Sequence, residues 1–314
     1  MKENVCPLIS VIIPNYNHAK FLDIRIDSIL NQTFRDFELI ILDDASTDNS
    51  TEIIEKYSNH PQISSIMLNE KNSGSPFVQW AKGINVARGE YIWIAESDDS
   101  ADVEFLEKIL EMSKGKSSLS LIFTNSVLMD LNLNTTRIAV SEKATGIYNA
   151  NEINFFYNWF FLNSEFRILN ASSCLFRRNL VNSEILGRIS KQRYSGDKYF
   201  WVLLLNQNPI FGYLDKSHNI HTTHAQTTRS HTSRSARFQR AKELLEIYSA
   251  CGFVNGDKYD SRLINEIGLR ILTYSILGVY FERRFRFFMI LKGLGMIDWN
   301  RKMAGKFYRN ILVN

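Results

Sequence analysis

Two stretches near the start of the sequence decide the fold: LISVIIPNYN at residues 8–17 and FELIILDDASTD at residues 37–48. Each stretch opens with an almost continuous apolar run, which is typical of a strand buried on both faces of a sheet. Between them, residues 22–30 carry apolar side chains at helical spacing. A strand, a helix and a second strand in this order predict two parallel strands joined by a right-handed crossover.

The same alternation continues to about residue 125. This regularity predicts an α/β fold with a mostly parallel sheet that helices cover on both faces. In such sheets ligands bind beyond the carboxyl ends of the strands, so the polar residues that follow the strands are the candidates for function. Further strands are predicted at residues 63–68, 91–95 and 120–123, and further helices near residues 53–57, 77–87 and 105–110.

The composition is that of an ordinary globular protein. Hydrophobic residues make up 45% and charged residues 22% of the 314 residues, which allows a sizeable core. The formal net charge of +4 is too small to predict a nucleic-acid partner. The scattered cysteines, Cys6, Cys174 and Cys251, argue against disulfides and against a structural zinc site. Neither a signal peptide nor a membrane-spanning run is visible, so we expect a cytoplasmic protein.

Acidic residues cluster in the loops after the second and fourth predicted strands. Asp43, Asp44 and Asp48 follow the second strand, and the run ESDD at residues 96–99 follows the fourth. Carboxylates at one sheet edge repel each other by roughly 4 kcal/mol per pair at 4 Å, and a bound divalent cation usually offsets this. All-oxygen ligands suit Mg²⁺ or Mn²⁺, whose open positions phosphate oxygens fill. The cluster therefore suggests a nucleotide-sugar site.

The same residues also have a simpler interpretation. Asp44 and Ser46 are residue types that favour turns and helix N-caps, and each could do no more than that. The four consecutive polar residues at 96–99 exceed what the cap of the next helix needs. The loop at residues 96–99 therefore indicates a functional role more strongly than the loop at residues 43–48 does.

Four motifs, taken in order, closely resemble those of the family 2 glycosyltransferases, which have the GT-A fold. The motifs are PNYN at 14–17, DDASTD at 43–48, GEYI at 89–92 and ESDD at 96–99. The resemblance extends over about the first 230 residues. It implies a GT-A-type, Rossmann-like domain and an inverting enzyme. The reaction would transfer a sugar from a nucleotide-diphosphate donor, expected to be a UDP-sugar, to an acceptor hydroxyl.

On this basis we expect three regions. Residues 1–125 would form the nucleotide-sugar-binding half of the GT-A domain, and residues 126–232 the acceptor-side half with the catalytic base. Residues 233–314 would form a helical C-terminal region. The stretch 126–215 is irregular and rich in aromatic residues, so no motif identifies the acceptor.

The resemblance also implies roles for single residues. The first motif and Asp44 would contact the nucleobase, and the run 96–99 would bind ribose and a divalent cation. Glu96 stands where the family usually has Asp, and either Asp98 or Asp99 would be the main metal ligand. The expected substrate-binding residues are Pro14, Tyr16, Asp44, Ser46, Gln79, Lys82, Glu96, Ser97, Asp98 and His224.

The segment 72–83 resembles the Asn-x-Gly loop of the family and the helix that follows it. Trp80 and Ala81 stand where family members often have Arg and Asn. Gln79 or Lys82 would then supply the missing contacts to nucleobase and phosphate. For Trp80 itself, we expect a place in the core.

Asp197 is the predicted catalytic base. It lies in SGDKYFW at residues 195–201, which resembles a family motif at a helix start whose Asp is the base. Inversion requires one carboxylate to take the proton of the acceptor hydroxyl as that oxygen attacks the anomeric carbon opposite the diphosphate. From its neighbours alone, Asp197 fits an N-cap better; the resemblance favours the base.

Three histidines, His218, His221 and His224, are spaced by three. A zinc site lacks further support in the sequence, and a polar loop is the simpler interpretation. The resemblance aligns His224 with a family histidine, with Thr222 in place of an arginine. His224 would contact the metal or the diphosphate.

The chain from Phe281 onward is basic and aromatic. Such a segment could lie on an anionic membrane surface, or it could be an ordinary solvated helical face. Relatives with lipid-linked substrates favour the first, so the acceptor would be a glycan or a lipid-linked glycan of cell-surface polysaccharide or glycolipid biosynthesis.

Two other classes of protein share parts of this pattern. A Rossmann dehydrogenase would need Gly-x-Gly-x-x-Gly after the first strand, where this chain has PNYN. A non-catalytic sugar-nucleotide-binding protein of the same fold remains the alternative, although Asp98, Asp99 and Asp197 favour an enzyme.

Overall fold

The computed structural model describes residues 6–116, 118–139, 143–152, 155–157, 168–224 and 233–251. The chain divides into two compact units, Met1–Ser230 and His231–Asn314. The described part of the second unit is helix α8 (Arg234–Ala250), which begins after Ser233, whose hydroxyl accepts a hydrogen bond from the backbone N–H of Ala236. The basic segment with a predicted membrane contact lies outside the described residues.

The first part of the first unit is the parallel half of the sheet, with strand order β3-β2-β1-β4. The strands are β1 (Ile9–Asn15), β2 (Phe37–Asp43), β3 (Ile63–Leu68) and β4 (Tyr91–Ile94). The helices between them are α1 (Ala19–Leu30), α2 (Ser50–Tyr57) and α3 (Pro76–Val86). Strand β2 is buried along its whole length, as its apolar run predicts. Strand β3 forms the edge of the sheet and is partly exposed.

The second half of the sheet is mixed. The full strand order is β3-β2-β1-β4-β9-β6-β10-β5, with β7 paired to β6 and β8 paired to β10. Strand β9 is antiparallel to both β4 and β6, whereas β6 and β10 are parallel. The strands are β5 (Ser100–Ala101), β6 (Leu121–Asp130), β7 (Thr135–Ile138), β8 (Gly146–Asn149), β9 (Cys174–Arg177) and β10 (Ile210–Thr223). The helices are α4 (Phe105–Ser113), α5 (Phe155–Tyr157), α6 (Ser183–Ile189) and α7 (Gly196–Gln207).

The core packs against both faces of the sheet. On one face the rings of Trp93 and Phe105 stack with 4.6 Å between their centroids. A second group of rings joins α3 to α7, and Trp80 lies fully buried within it, against Phe77 and Trp201. Each large apolar side chain buried in this way contributes about 1.5–3 kcal/mol. Trp80 is therefore a core residue, as we expected from the sequence.

The predicted α/β class with a largely parallel sheet is confirmed. The predicted strands and helices up to residue 125 all form, because their apolar periodicity matches the faces that the sheet buries. The histidines spaced by three do not lie in a polar loop, since His218 and His221 are part of β10 and His224 follows its end. Among the described residues, we find no helix with the length and apolar character needed to cross a bilayer.

Candidate functional site

The loops after β1, β2 and β4 meet at the carboxyl edge of the parallel strands. Asn15 and Asp43, the last residues of β1 and β2, lie side by side in the sheet register. The backbone N–H of Ala95, just after β4, donates to the carbonyl of Ile12 at 2.8 Å. The polar residues that follow the three strands are therefore brought to one edge, as parallel pairing requires.

The first two loops are tied together by hydrogen bonds. The Asp43 carboxylate accepts from the Asn15 side-chain amide at 2.8 Å and from the Ser46 hydroxyl at 2.6 Å. Ser46 Oγ also accepts from the backbone N–H of Asn17 at 2.9 Å. Asn17 and Ala45 hold positive φ angles of 56° and 60°, a region that costs a residue with a Cβ about 1–2 kcal/mol. Ser46 thus connects the loop after β1 to the loop after β2 through its hydrogen bonds.

Asp44 is buried and heavily hydrogen-bonded. Its Oδ1 accepts from Asn69 Nδ2, from the Ser73 backbone N–H and from Gln79 Nε2, at 2.6, 2.9 and 2.7 Å. Its Oδ2 accepts from the Ser73 hydroxyl at 2.7 Å. The Gln79 Oε1 atom is buried and has no hydrogen-bond partner in the described chain. Asp44 and Gln79 are therefore hydrogen-bonded to each other, and the Gln79 Oε1 acceptor is unused among the described residues.

The other residues predicted to bind substrate around this pair are more exposed. Tyr16 is 45% exposed, and Pro14 is half-buried at the end of β1. Lys82 is exposed, and its Nζ donates to Asn69 Oδ1 at 2.7 Å. The lysine thus contacts a residue that supports Asp44 rather than Asp44 itself.

His18, Asp98 and His224 form a three-residue cluster. One potential ligand atom from each lies within 4.8 Å of the other two. His224 Nε2 is 3.1 Å from Asp98 Oδ2, and His18 Nδ1 is 2.8 Å from the Ser97 hydroxyl. The ring of Phe21 lies against His224, with 4.7 Å between the ring centroids. Burial lowers the pKa of His18, an effect that the charge of Asp98 opposes.

Asp99 has different surroundings from those of its neighbour. Its carboxylate is buried and accepts from Asn170 Nδ2, from the Ser172 hydroxyl and from the backbone N–H of Thr222, at 2.5, 2.7 and 2.9 Å. His221 Nδ1 lies 3.1 Å from it. Burial alone would raise the pKa of Asp99, but the contacts with His221 and its other neighbours hold that pKa below its ordinary value. The structure places Asp98, and not Asp99, in the three-residue cluster.

Glu96 is the most strongly perturbed carboxyl group of the run. Its pKa is raised well above the ordinary value, first by burial and then by the negative charges of Asp99, Asp98 and Asp197. The charge of Arg25 acts in the opposite direction. The backbone N–H of Glu96 donates to the Ser172 hydroxyl at 3.0 Å. The charges of three carboxyl groups from two parts of the chain thus act on Glu96.

Residues 10–183 match the family model described as Glycosyl transferase family 2. The chain belongs to this family. In this family member the two histidines and the aspartate at the sheet edge are the candidates for a metal site.

The glycosyltransferase is similar to known proteins over different lengths. The uncharacterized glycosyltransferase MJ1057 of Methanocaldococcus jannaschii is 30% identical over 215 residues, which are 67% of this chain and 69% of that protein. Glycosyltransferase GlyG of Streptococcus pneumoniae serotype 4 is 37% identical over 111 residues, 35% of this chain and 36% of that protein. The chain thus spans about a third of the pneumococcal relative.

A solved structure supports the fold of the glycosyltransferase. S. aureus TarS 1–349 in complex with UDP-GlcNAc has a TM-score of 0.62 and 20% sequence identity, and the match covers 88% of this chain and 77% of that chain. At this identity the similarity concerns the fold. The GT-A-type architecture that the motifs imply is therefore confirmed.

In this glycosyltransferase Asp197 lies in the first turn of α7 and is half-buried. The N-cap of α7 is Ser195, so Asp197 does not cap the helix. Within the described residues the Asp197 carboxylate accepts no hydrogen bond, and its charge acts on Glu96. A Cβ on Gly196 would lie 2.6 Å from the ring of Phe77, so only glycine allows the start of α7 to approach α3 this closely. The role of Asp197 as the base stays a prediction.

Two residues of the candidate site, His18 and Arg25, were not predicted from the sequence. His18 directly follows the PNYN motif, and its position next to that motif was the available signal. Arg25 lies on the buried stripe of α1, where a charged residue breaks the apolar pattern. Neither signal identifies a partner, because both residues meet Asp98 and its neighbours only in the folded chain.

Proposed function

We propose that this enzyme is an inverting, metal-dependent glycosyltransferase that uses a nucleotide-diphosphate sugar, a UDP-sugar by preference, and glycosylates a hydroxyl of a glycan or lipid-linked glycan. The observation that carries the proposal is the His18–Asp98–His224 cluster at the carboxyl edge of the sheet. An Asp197 carboxylate that accepts no hydrogen bond in the described chain lies within electrostatic reach of Glu96 in the same acidic run.

The nucleobase would bind beside Asp44 and Gln79. Uracil presents one N–H between two carbonyl oxygens, so it needs an acceptor held in place by other contacts. Asp44 Oδ2 accepts one hydrogen bond in the described chain, and Gln79 Oε1 is buried without a partner. A buried acceptor without a donor costs about 1–3 kcal/mol, which a nucleobase N–H would recover. The binding of UDP-GlcNAc by TarS, which shares the fold, is consistent with this choice.

The three-residue cluster fits a divalent cation. Two imidazole nitrogens and one carboxylate oxygen, with open positions left, suit Mn²⁺ better than Mg²⁺, which prefers oxygen ligands. The contact of His18 Nδ1 with Ser97 would fix the ring and leave Nε2 for the metal, since ligating histidines usually donate through their other nitrogen. When bound, the cation would neutralise charge that develops on the diphosphate leaving group.

The acceptor hydroxyl would be activated by Asp197. A half-buried carboxylate with no hydrogen bond in the described chain can take the proton as the acceptor oxygen attacks the anomeric carbon. Attack on the face opposite the diphosphate needs one such group and no covalent intermediate. An α-linked donor would therefore give a β-linked product.

The proposal is tested by donor turnover. Purified protein is given Mn²⁺ or Mg²⁺ and a panel of UDP-, GDP- and dTDP-sugars, and release of nucleotide diphosphate is followed with and without EDTA. We expect release from one donor that EDTA and Asp98→Ala abolish and that Asp36→Asn, a change of an exposed aspartate, leaves intact. Donor binding without any turnover, even when glycan acceptors are supplied, would instead favour the non-catalytic sugar-nucleotide-binding protein.

Two wider parts of the proposal concern place and stereochemistry. A location at the cytoplasmic face of a membrane agrees with the three free cysteines and with the basic C-terminal sequence.

The anomeric configuration of the product, read by NMR, decides whether the enzyme inverts. Retention of configuration would contradict the single-displacement role of Asp197.

A further inference from the structure

Arg25 is a charged residue on the buried face of α1. Leu22, Ile26 and Ile29 form the apolar stripe of this helix, and Arg25 lies on the same stripe, three residues after Leu22. Its side chain is fully buried, with 0% exposure. A buried guanidinium costs several kcal/mol unless specific partners offset the loss of water.

Among the residues that the structure describes, Arg25 lacks the usual partners of a buried arginine. None of its three guanidinium nitrogens makes a hydrogen bond to the residues that the structure describes. The guanidinium lies over the ring of Trp93, with 4.9 Å between Cζ and the ring centroid. A desolvated cation–π contact contributes about 2 kcal/mol, which is too little to offset the burial of a full charge. The charge must therefore have another partner.

That partner is the acidic run at residues 96–99. The charges of Asp99, Glu96 and Asp98, in this order, oppose the burial that lowers the pKa of Arg25 to about 10. Arg25 is therefore positively charged at neutral pH. The same charge acts back on the carboxylates, since Arg25 opposes the rise in the pKa of Glu96.

Arg25 and the acidic run share one scaffold. The indole N–H of Trp93 donates to the Ser172 carbonyl at 2.8 Å. The Ser172 hydroxyl donates to Asp99 and accepts from the backbone N–H of Glu96. The position of the guanidinium is therefore fixed relative to the backbone of the run.

We propose that Arg25 is a positioning residue, a built-in counter-charge that holds the acidic run together while no divalent cation is bound and thereby sets how tightly that cation binds. The inference rests on the proposed function, in which this run carries the cation. Two carboxylates 4 Å apart near a protein surface repel each other by roughly 4 kcal/mol. A fixed positive charge offsets part of this repulsion, so the site is already formed before the cation binds. The same charge repels the incoming cation, so the affinity of the site for the cation is low.

The test is Arg25→Met, which removes the charge and keeps a long side chain. We expect this variant to bind Mn²⁺ alone at least about tenfold more tightly than the wild type, because the repulsion is removed. Its melting temperature should fall in EDTA, where the carboxylates lose their counter-charge, and recover in Mn²⁺. Titration calorimetry with MnCl₂ and thermal unfolding in both buffers measure the two effects. Arg25→Lys keeps the charge and should stay within about threefold of the wild-type Mn²⁺ affinity.

Arg88→Met is the control for the loss of an arginine charge that is paired elsewhere in the fold. Arg88 pairs with Glu38, with 2.6 Å between Nη2 and Oε2. Glu38 lies near the start of β2, whereas the acidic run follows the end of β4. Its removal should lower the melting temperature equally in EDTA and in Mn²⁺, and leave the Mn²⁺ affinity unchanged. Arg25→Met would be a mere packing defect if it behaved in the same way, and the inference would then be overturned.

A second arm needs neither metal nor donor. In EDTA, Glu96→Gln should raise the melting temperature by more in the Arg25→Met background than in the wild type, because the charge of Arg25 no longer offsets that of Glu96. An equal gain in the two backgrounds would also overturn the inference. Failure of the wild type to transfer sugar would contradict the proposed function alone, because none of these measurements uses a donor or an acceptor.

Discussion

Asp98 and Asp99 are adjacent in sequence and differ in what surrounds them. Asp98 is partly exposed and faces two imidazole rings, whereas Asp99 is buried and accepts hydrogen bonds from Asn170, Ser172 and the Thr222 backbone. A carboxylate that protein donors already occupy has little capacity left for a metal. At the residue scale, we therefore assign metal binding to Asp98 in our proposal and loop architecture to Asp99.

The negative charge of Glu96 is unfavourable in the folded protein, and it should lower the free energy of unfolding. Its pKa is raised in the folded protein, so the folded state binds more protons than the unfolded state above the ordinary pKa. The contribution of Glu96 to stability is fully present below that ordinary value of 4.5 and is lost as the pH rises through the folded-state pKa. At neutral pH without metal, the group therefore destabilises the fold.

The prediction is that Glu96→Gln stabilises the metal-free protein. The free energy of unfolding should rise by on the order of 1 kcal/mol at pH 7.5, because the neutral amide avoids the charge repulsion. At pH 5 the gain should be smaller. Urea unfolding in EDTA at the two values measures the difference, and Glu90→Gln, at an exposed site, is the control. A gain that does not depend on pH would contradict the assigned cause.

At the scale of elements, the end of β10 positions His224 at the site. Strand β5 continues directly from the acidic run and pairs antiparallel with β10, with Asn219 opposite Ala101. The Asp99 carboxylate then binds the backbone of Thr222, two residues before His224. The pairing of β5 with β10 and the contacts of Asp99 together set the place of His224 relative to Asp98.

Two asparagine variants should separate these roles. Asp98→Asn is expected to abolish Mn²⁺ binding with little change in the free energy of unfolding. Asp99→Asn places an amide N–H₂ among hydrogen-bond donors, so it should cost about 1–3 kcal/mol of stability, and it should weaken Mn²⁺ binding indirectly. Denaturant unfolding and calorimetry on both proteins provide the comparison. A stability loss confined to Asp98→Asn would reverse the two assignments.

The start of α7 depends on the absence of a side chain at Gly196. A Cβ there would lie 2.6 Å from Phe77, and the neighbouring residue is Asp197. Gly196→Ala should therefore cost about 1–3 kcal/mol of stability and lower kcat, because the predicted base moves with its helix. Gly187→Ala in α6 is the matched control, since nothing lies within 4 Å of its Cβ.

That control should be neutral or stabilising, by up to about 1 kcal/mol, because alanine favours a helix interior more than glycine does. Thermal unfolding and steady-state kinetics with the donor found in the panel give the two readouts. Equal effects of the two substitutions would show that the approach of α7 to α3 does not place the base.

On the scale of the whole molecule, the two halves of the sheet supply different parts of the site. The parallel half gives the PNYN loop, the Asp44–Gln79 pair and the acidic run, all at its carboxyl edge. The mixed half gives Asn170, Ser172 and His224, which contact the acidic run from the other side. Strand β9, antiparallel between β4 and β6, joins the halves into one sheet.

The sequence by itself determined the α/β class and the family. Apolar runs and helical spacing act over short distances, so the elements up to residue 125 follow from local pattern. The motifs predicted that Asp44, Glu96 and Asp98 lie at the carboxyl edge of the sheet, because the ends of parallel strands converge there. Residues 126–215 carry a weaker local pattern, because their strands pair with partners far away in the chain.

Only the tertiary structure decided which side chains meet. The choice between Asp98 and Asp99, the entry of His18 into the cluster and the burial of Arg25 all depend on contacts between residues far apart in sequence. His224 lies 126 residues from Asp98. Such contacts follow from how β10, α1 and the acidic run pack together, and no local spacing encodes them. The physical reason is that the charge state and the hydrogen bonds of a side chain depend on its neighbours in space. The order of residues along the chain does not specify those neighbours.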